Sequence, residues 1–302
     1  MPNAPRRPPT ITNKIFRGSR AVERGWLSRA QLRSRAWQRL FHDVYADAQM
    51  QRTHKLRCRA VQAFLLPEGA VIAGRSAAHL FGVPYVGGDD PVEVLTPRAF
   101  GPIKGMKIHV GPVGPGDRWT CGEWKIATPL RICWDLASWI DVVEAVVFVD
   151  ALARQDLVTR DALENYARQR KGGKGHARFL KVVELMDPAA ESAPESRLRV
   201  RLTLAGVPGL VAQFEVIRDG CFVARVDLAL PEAKIAIEYD GRWHASTSQL
   251  ERDRLRLNRL LGAEWVVFHV TADQMRSTLD ELLRDLRTTI RSRISPSQAR
   301  SR

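Results

Sequence analysis

The chain reads as a multi-domain α/β protein, and three observations carry that reading. An apolar hairpin at 225–240 (RVDLALPEAKIAIEYD) lies between two segments with helical spacing. A Gly/Pro-punctuated middle alternates short β-branched runs with helix-length apolar stretches. Positive charge is concentrated at one end. Residues 1–60 hold 14 Lys+Arg against 3 Asp+Glu (14 − 3 = +11), residues 61–187 hold 15 of each (15 − 15 = 0), and residues 188–302 hold 18 against 15 (18 − 15 = +3). A chain of 302 residues has room for two domains or three small ones.

In chain order, 1–14 (MPNAPRRPPT…) is Pro/Arg-rich without an apolar core, which predicts a disordered basic tail and no signal peptide. A compact basic domain is expected over 15–50. Phe16–Arg24 suggests a short helix, Leu27–Leu32 a second with Ser28 as N-cap, and Ala36–Leu40 a third, followed by a strand over Phe41–Ala46. Short helices leading into a strand are compatible with a winged helix-turn-helix, and Arg29, Arg33, Arg35 and Arg39 are the side chains expected against phosphates.

The middle, 51–187, reads as a mixed α/β domain: a helix over Val71–Val83, strands at Pro91–Thr96, Met106–Val110 and Trp124–Ala127, and helices to about Ile140 and over Val142–Arg154. His79, His109 and His176 are isolated and read as structural. Lys171–Gly175 lacks Walker A spacing and reads as a flexible basic loop, a candidate for touching DNA. Asp187–Pro194 (DPAAESAP) is the expected linker into a C-terminal domain at 188–295, with a flexible tail at 296–302.

The chemistry concentrates in that last domain. Asp227 interrupts the first strand of the hairpin, and Glu238 and Asp240 share one face at the end of the second. Charges in an apolar hairpin need a partner or a cation, and convergent carboxylates make a hard oxygen site suited to Mg²⁺. The bland reading is that these acids face water on a two-sided sheet. That explains Asp227 better than the Glu238/Asp240 pair, which would repel without a cation. The helix 249–261 carries Leu250, Leu257 and Leu261 on one face, with Arg252, Arg254, Arg256 and Arg259 around the rest. The arginines suit either a solvated, acid-paired face or a phosphate backbone.

RVD, IEYDGRWH, ERDRLRLNRLLGAEWVVFHV and the helix ESRLRVRLTLAG together resemble the PD-(D/E)XK nuclease superfamily, in its branch around the very-short-patch-repair endonucleases and their uncharacterised actinobacterial relatives. The resemblance covers about the last third of the chain. It implies a restriction-endonuclease-like α/β/α domain in which Asp227 and Glu238 ligate Mg²⁺ (Mn²⁺ as an alternative) and Glu195 completes the metal shell. His244, after Trp243, would then move protons. The superfamily expects Lys where this chain has Asp240, which would bind or orient instead. Arg242, Arg252 or Arg254 would supply the missing positive charge. GWLSRAQLRSRAWQRLFHDVYA, TPLRICWDLA and GRSAAHLFGV resemble AbiEi-type antitoxins, DNA-binding repressors, over the head and body.

These readings predict a Mg²⁺-dependent DNA endonuclease targeted by a basic head; the alternative is a DNA-binding regulator whose nuclease fold has lost its chemistry. RNA is compatible with the same residues. A homodimer is expected if both strands of a duplex are cut. Cys58, Cys121, Cys133 and Cys221 have neither zinc nor disulfide spacing, so no zinc is expected and the thiols suit a reducing cytoplasm. No apolar run approaches the roughly 18 residues of a membrane span.

Overall fold

The structure, a computed structural model, describes residues 6–241 and 247–294. It is a mixed α/β chain in two compact units, residues 1–139 and 140–302. No helix among the described residues is long and apolar enough to cross a membrane.

The first unit opens with β1 (Ile15–Arg17), α1 (Gly18–Glu23), β2 (Trp37–Phe41) and β3 (Val44–Asp47), with a single 3-10 turn at Gln31–Arg33. The strands form an antiparallel sheet in the order β1-β3-β2. Three expectations for 15–50 fail: the strand over Phe41–Ala46 is a hairpin turn, with Asp43 at φ 57 between Phe41 of β2 and Val44 of β3, and two of the helices do not form. Leu27–Leu32 forms only that turn, with Ser28 and Gln31 exchanging hydrogen bonds at its start. Ala36–Leu40 is not a helix but most of β2. Its spacing misleads for a physical reason: the register slips between Arg39 and Phe41, so Trp37, Leu40 and Phe41 are all buried and imitate the i, i+3, i+4 pattern of a helix.

The unit continues with α2 (His54–Phe64), β4 (Val71–Ile72), α3 (Gly74–Leu80), β5 (Val92–Thr96), β6 (Met106–Val110), β7 (Arg118–Cys121), β8 (Trp124–Ala127) and α4 (Pro129–Trp139). Its sheet runs β6-β5-β4-β8-β7, with β5 buried along its whole length. The helix expected from Val71 starts three residues later, because Val71 and Ile72 pair with Leu95 and Val94 first. Gly74 then turns the chain at φ +51, where a Cβ would lie 2.2 Å from Glu93 Oε2. That close approach lets the buried Glu93 carboxylate accept from the Arg75 backbone N (2.7 Å) and Nε (2.9 Å).

The second unit contains α5 (Val142–Arg154), α6 (Arg160–Arg168), α7 (His176–Leu185), α8 (Ala193–Leu204), β9 (Val211–Arg218), β10 (Cys221–Leu230), β11 (Ile235–Asp240), α9 (Thr247–Gly262), β12 (Val266–Thr271), α10 (Ala272–Ser277) and α11 (Leu279–Ile294). The sheet order is β12-β11-β10-β9, antiparallel except for the parallel β11–β12 pair. One face packs Leu228, Leu230, Ile235, Ile237 and Val270 against Leu198 and Leu202 of α8 and Leu282, Leu283 and Leu286 of α11. The other packs Val226, Ala229 and Ala236 against Leu260 of α9. The unit is therefore three-layered, helix on sheet on helix.

The boundary does not fall at the expected linker. Asp187 N donates to Asp150 Oδ1 (2.8 Å), and the Asp150 Oδ2 atom accepts from Ser196 Oγ (2.7 Å) and Arg199 Nη2 (2.8 Å). Asp150 and Arg199 are both buried, so α5 is bound into the C-terminal unit through a desolvated ion pair. The 187–194 stretch has linker composition, yet its backbone is tied to α5, and the chain divides instead between Trp139 and Ile140.

Candidate functional site

The hairpin forms as its sequence requires. Pro231–Ala233 makes a 3-10 turn, and Lys234 takes the left-handed conformation (φ 48) to start β11. The β10–β11 ladder runs through Leu230↔Ile235, Ala229↔Ala236 and Leu228↔Ile237. Immediately beyond it, the Tyr239 N–H is taken by a side chain: it donates to Asp227 Oδ2 at 2.9 Å. The Asp227 carboxylate is thus fixed at the point where the ladder ends.

Two other acids predicted from the sequence, Glu195 and Glu238, act electrostatically on it. Asp227 is half-buried, and burial, chiefly, with the charges of Glu195 and Glu238 pushes its pKa up from 3.8 to about 6, against the opposing Tyr239 hydrogen bond and Arg256. Glu195 stands in the first turn of α8, whose N-cap Ser192 accepts from the Glu195 N–H. Glu195 Oε2 in turn accepts from Gln213 Nε2 of β9 (2.8 Å) and from Glu191 N (3.0 Å), which aims the carboxylate. Glu238 is only 8% exposed on β11.

Glu238 has a partner that sequence reasoning did not single out. Arg256 of α9 grips it with both terminal nitrogens: Nη1 reaches Oε2 at 2.9 Å, Nη2 binds Oε1, and Nη2 also donates to the Arg225 carbonyl at 2.7 Å. The expected apolar face of α9 is correspondingly rotated. Leu260 is buried and Leu257 half-buried, whereas Leu261 is 54% exposed. Arg256, at i−4 from Leu260, rides on this inward side. The signal was available: a helical arginine on the buried stripe, opposite a strand acid, is a pairing candidate.

Asp240 lies at the exposed end of β11, two residues beyond Glu238 in the strand. Arg254 is exposed on α9. Arg242 and His244 lie outside the described residues, as does the side chain of Arg252. Among the described residues no group of three or more His, Cys, Asp or Glu side chains is placed to hold a metal ion. The acids converge electrostatically, but one of them is already neutralised.

In the other unit, Arg29, Arg33, Arg35 and Arg39 are all exposed. They project from a loop, the 3-10 turn and β2, not from a pair of helices. Two of the three isolated histidines are packed, as expected: the His79 ring stands edge-on to that of His54, whose Nε2 lies 2.8 Å from Ser76 Oγ, and His109 stacks on Trp139; His176 lines an open pocket.

Two uncharacterised proteins of Mycobacterium tuberculosis, one from each of two strains, are 27% identical to this chain over 177 residues, or 58% of it. The match takes in 64% of each relative, so the chain spans just under two thirds of the length of the curated relatives it matches. No family model matches the chain, and no solved structure matches it.

Proposed function

We propose that the 140–302 unit hydrolyses DNA phosphodiester bonds with a divalent cation, Mg²⁺ or Mn²⁺, held by Asp227 and Glu238, with Glu195 in its outer shell. The observation that carries this reading is the half-buried Asp227 carboxylate fixed at the open end of the β10–β11 ladder, where burial first, and then the charges of Glu195 and Glu238, raise its pKa to about 6. A negative charge held there is unfavourable for folding and is relieved by a cation. When bound, the ion would activate water and stabilise charge on the phosphate.

The chain's own residues prepare the site. Tyr239 N–H holds one oxygen of Asp227, and Gln213 holds one of Glu195. Arg256 brings positive charge to the place where Asp240 cannot supply it, in the role that Arg242, Arg252 or Arg254 were expected to fill. Asp227 suits a hard cation as it stands; Glu238 suits one once Arg256 yields an oxygen. The basic segment 29–39 would contact phosphates of the same DNA, and His244 would carry the proton. RNA fits the same chemistry, and cutting of both duplex strands would call for a homodimer. The three-layered second unit supports an endonuclease-like fold, and AbiEi-like character remains our reading of the head and body; the head's β2–β3 hairpin suits the wing of a winged helix, while Leu27–Leu32 and Ala36–Leu40 do not supply its helix pair. A reducing cytoplasm is the proposed setting.

The second reading, a DNA-binding regulator with an inactive nuclease fold, is favoured by the Glu238–Arg256 pair, which satisfies the acid without metal. Supercoiled plasmid incubated with Mg²⁺, Mn²⁺ or EDTA, beside Glu238→Ala, separates the two. The nuclease reading expects metal-dependent nicking or linearisation that the variant loses. Tight, salt-sensitive binding without cleavage would establish the regulator.

A further inference from the structure

The 140–302 unit carries a second charged feature, remote in sequence from the acids. Between α6 and α7 the chain reads RQRKGGKGHAR over Arg168–Arg178, which places five Lys+Arg and no Asp or Glu in eleven residues. Gly172 (φ +77) and Gly175 (φ +91) take left-handed backbone that winds the loop tightly, and Gly173 N donates to Arg170 O at 3.0 Å.

The cations divide into two sets. Arg170 lies over the Tyr166 ring, 3.5 Å from its centroid, and Arg178 donates to the Ile140 carbonyl at 2.8 Å, so both hold the loop in place. Arg168, Lys171 and Lys174 are exposed, and none of their side chains has a hydrogen bond or ion pair among the described residues. Below them is an opening of about 530 Å³ lined by Arg160, Arg168, Lys171, His176, Glu164 and Glu184. Two carboxylates offset much of the positive charge inside it, and Arg160 is committed to the Val183 and Met186 carbonyls. A small anion therefore gains little by entering. The uncompensated charge lies along the crest, which suits an extended polyanion lying across the loop.

We infer that the Arg168–Lys174 crest is a second contact for a nucleic-acid sugar–phosphate backbone, with Arg168, Lys171 and Lys174 as its phosphate-binding side chains. The inference rests on the reading of this unit as one that acts on DNA. One feature favours nucleic acid over an anionic membrane: residues 169–175 include no apolar side chain that could enter a bilayer. Arg199 of α8 donates to the Leu185 carbonyl at the end of α7 (2.7 Å), so the helix that bears the crest is fastened to the helix that bears Glu195. A duplex held on the crest is held by the same compact unit that holds the acids.

The test measures binding of a fluorescent duplex to the full chain by anisotropy in EDTA, over 50–300 mM salt, for the wild type and the triple variant Arg168→Gln/Lys171→Gln/Lys174→Gln. Each phosphate contact contributes about 0.9 to the slope of log K against log salt, so the variant's slope is expected to fall by about 2–3. A triple Arg168→Lys/Lys171→Arg/Lys174→Arg variant should keep the wild-type slope, which excludes loss through misfolding. A wild-type slope in the Gln variant overturns this inference alone, and if the variant also loses binding to phosphatidylserine vesicles, the crest is a membrane contact instead. A wild type that binds no DNA overturns both this inference and the nuclease reading.

Discussion

Asp227→Asn exposes the tension stored at the acid cluster. The substitution is nearly isosteric, and the new side-chain oxygen can still accept from the Tyr239 N–H. What it removes is a charge that the fold disfavours. The rise of the Asp227 pKa from 3.8 to about 6 would, at about 1.4 kcal/mol per pH unit, correspond to about 3 kcal/mol for a fully shielded group. Asp227 is partly open to water, and screening cuts that to about 1.5 kcal/mol. The sign follows from linkage. An acid whose folded pKa is raised supports the fold fully below its unfolded value near 4, and that support is lost as pH rises through about 6. Asp227→Asn should therefore stabilise the protein at pH 7.5 in EDTA by about 1.5 kcal/mol, falling to about 0.5 kcal/mol at pH 4.5. Thermal melting reads this as a rise of about 3–6 °C at pH 7.5, at about 2–4 °C per kcal/mol for a unit of this size. A Tm that is unchanged or lowered at pH 7.5, or a shift independent of pH, would refute the reasoning.

Other expectations follow from the same geometry. Arg256→Met leaves Glu238 buried without its partner and should cost about 2–3 kcal/mol in urea unfolding, less than a fully buried pair because Arg256 is half-exposed; millimolar Mg²⁺ should restore part of the loss if the acids take the ion. Arg199→Met removes the partner of buried Asp150 and should destabilise the 140–302 unit by about 3–5 kcal/mol, seen as a lowered urea midpoint. Of Cys58, Cys133 and Cys221, only the exposed Cys221 should react with a thiol reagent in the native state, since burial raises the thiol pKa of Cys133 and lifts that of Cys58 to about 12; peptide mapping after labelling checks this.

The hairpin was legible because Pro231 stops one apolar run and β-branched residues start the next, and α9 because its leucines recur at helical steps; α8 was reached through the family resemblance. Asp227, Glu238 and Asp240 stood out as acids in an apolar hairpin, whereas Glu195 was reached only through the resemblance to the nuclease superfamily. Other features lay below the reach of pattern. A one-residue register slip in β2 turns a strand into apparent helical spacing at Trp37, Leu40 and Phe41. The 187–194 stretch has linker composition, but its attachment to α5 depends on a backbone N–H and a buried aspartate 37 residues away. Arg256 looked like one more member of an arginine-rich surface, and only the rotation of α9, set by Leu260, turns it toward Glu238. Periodicity reports which side of an element is apolar; it does not report which polar residue rides inward with that side.

Titration of Mn²⁺ into the apo protein, with free Mn²⁺ followed by electron paramagnetic resonance, tests the cation site most directly. The account predicts saturable binding that Asp227→Asn and Glu238→Gln each weaken strongly, while Arg168→Gln/Lys171→Gln/Lys174→Gln leaves it unchanged. No saturable binding by the wild type, or equal binding by the two acid variants, would contradict it.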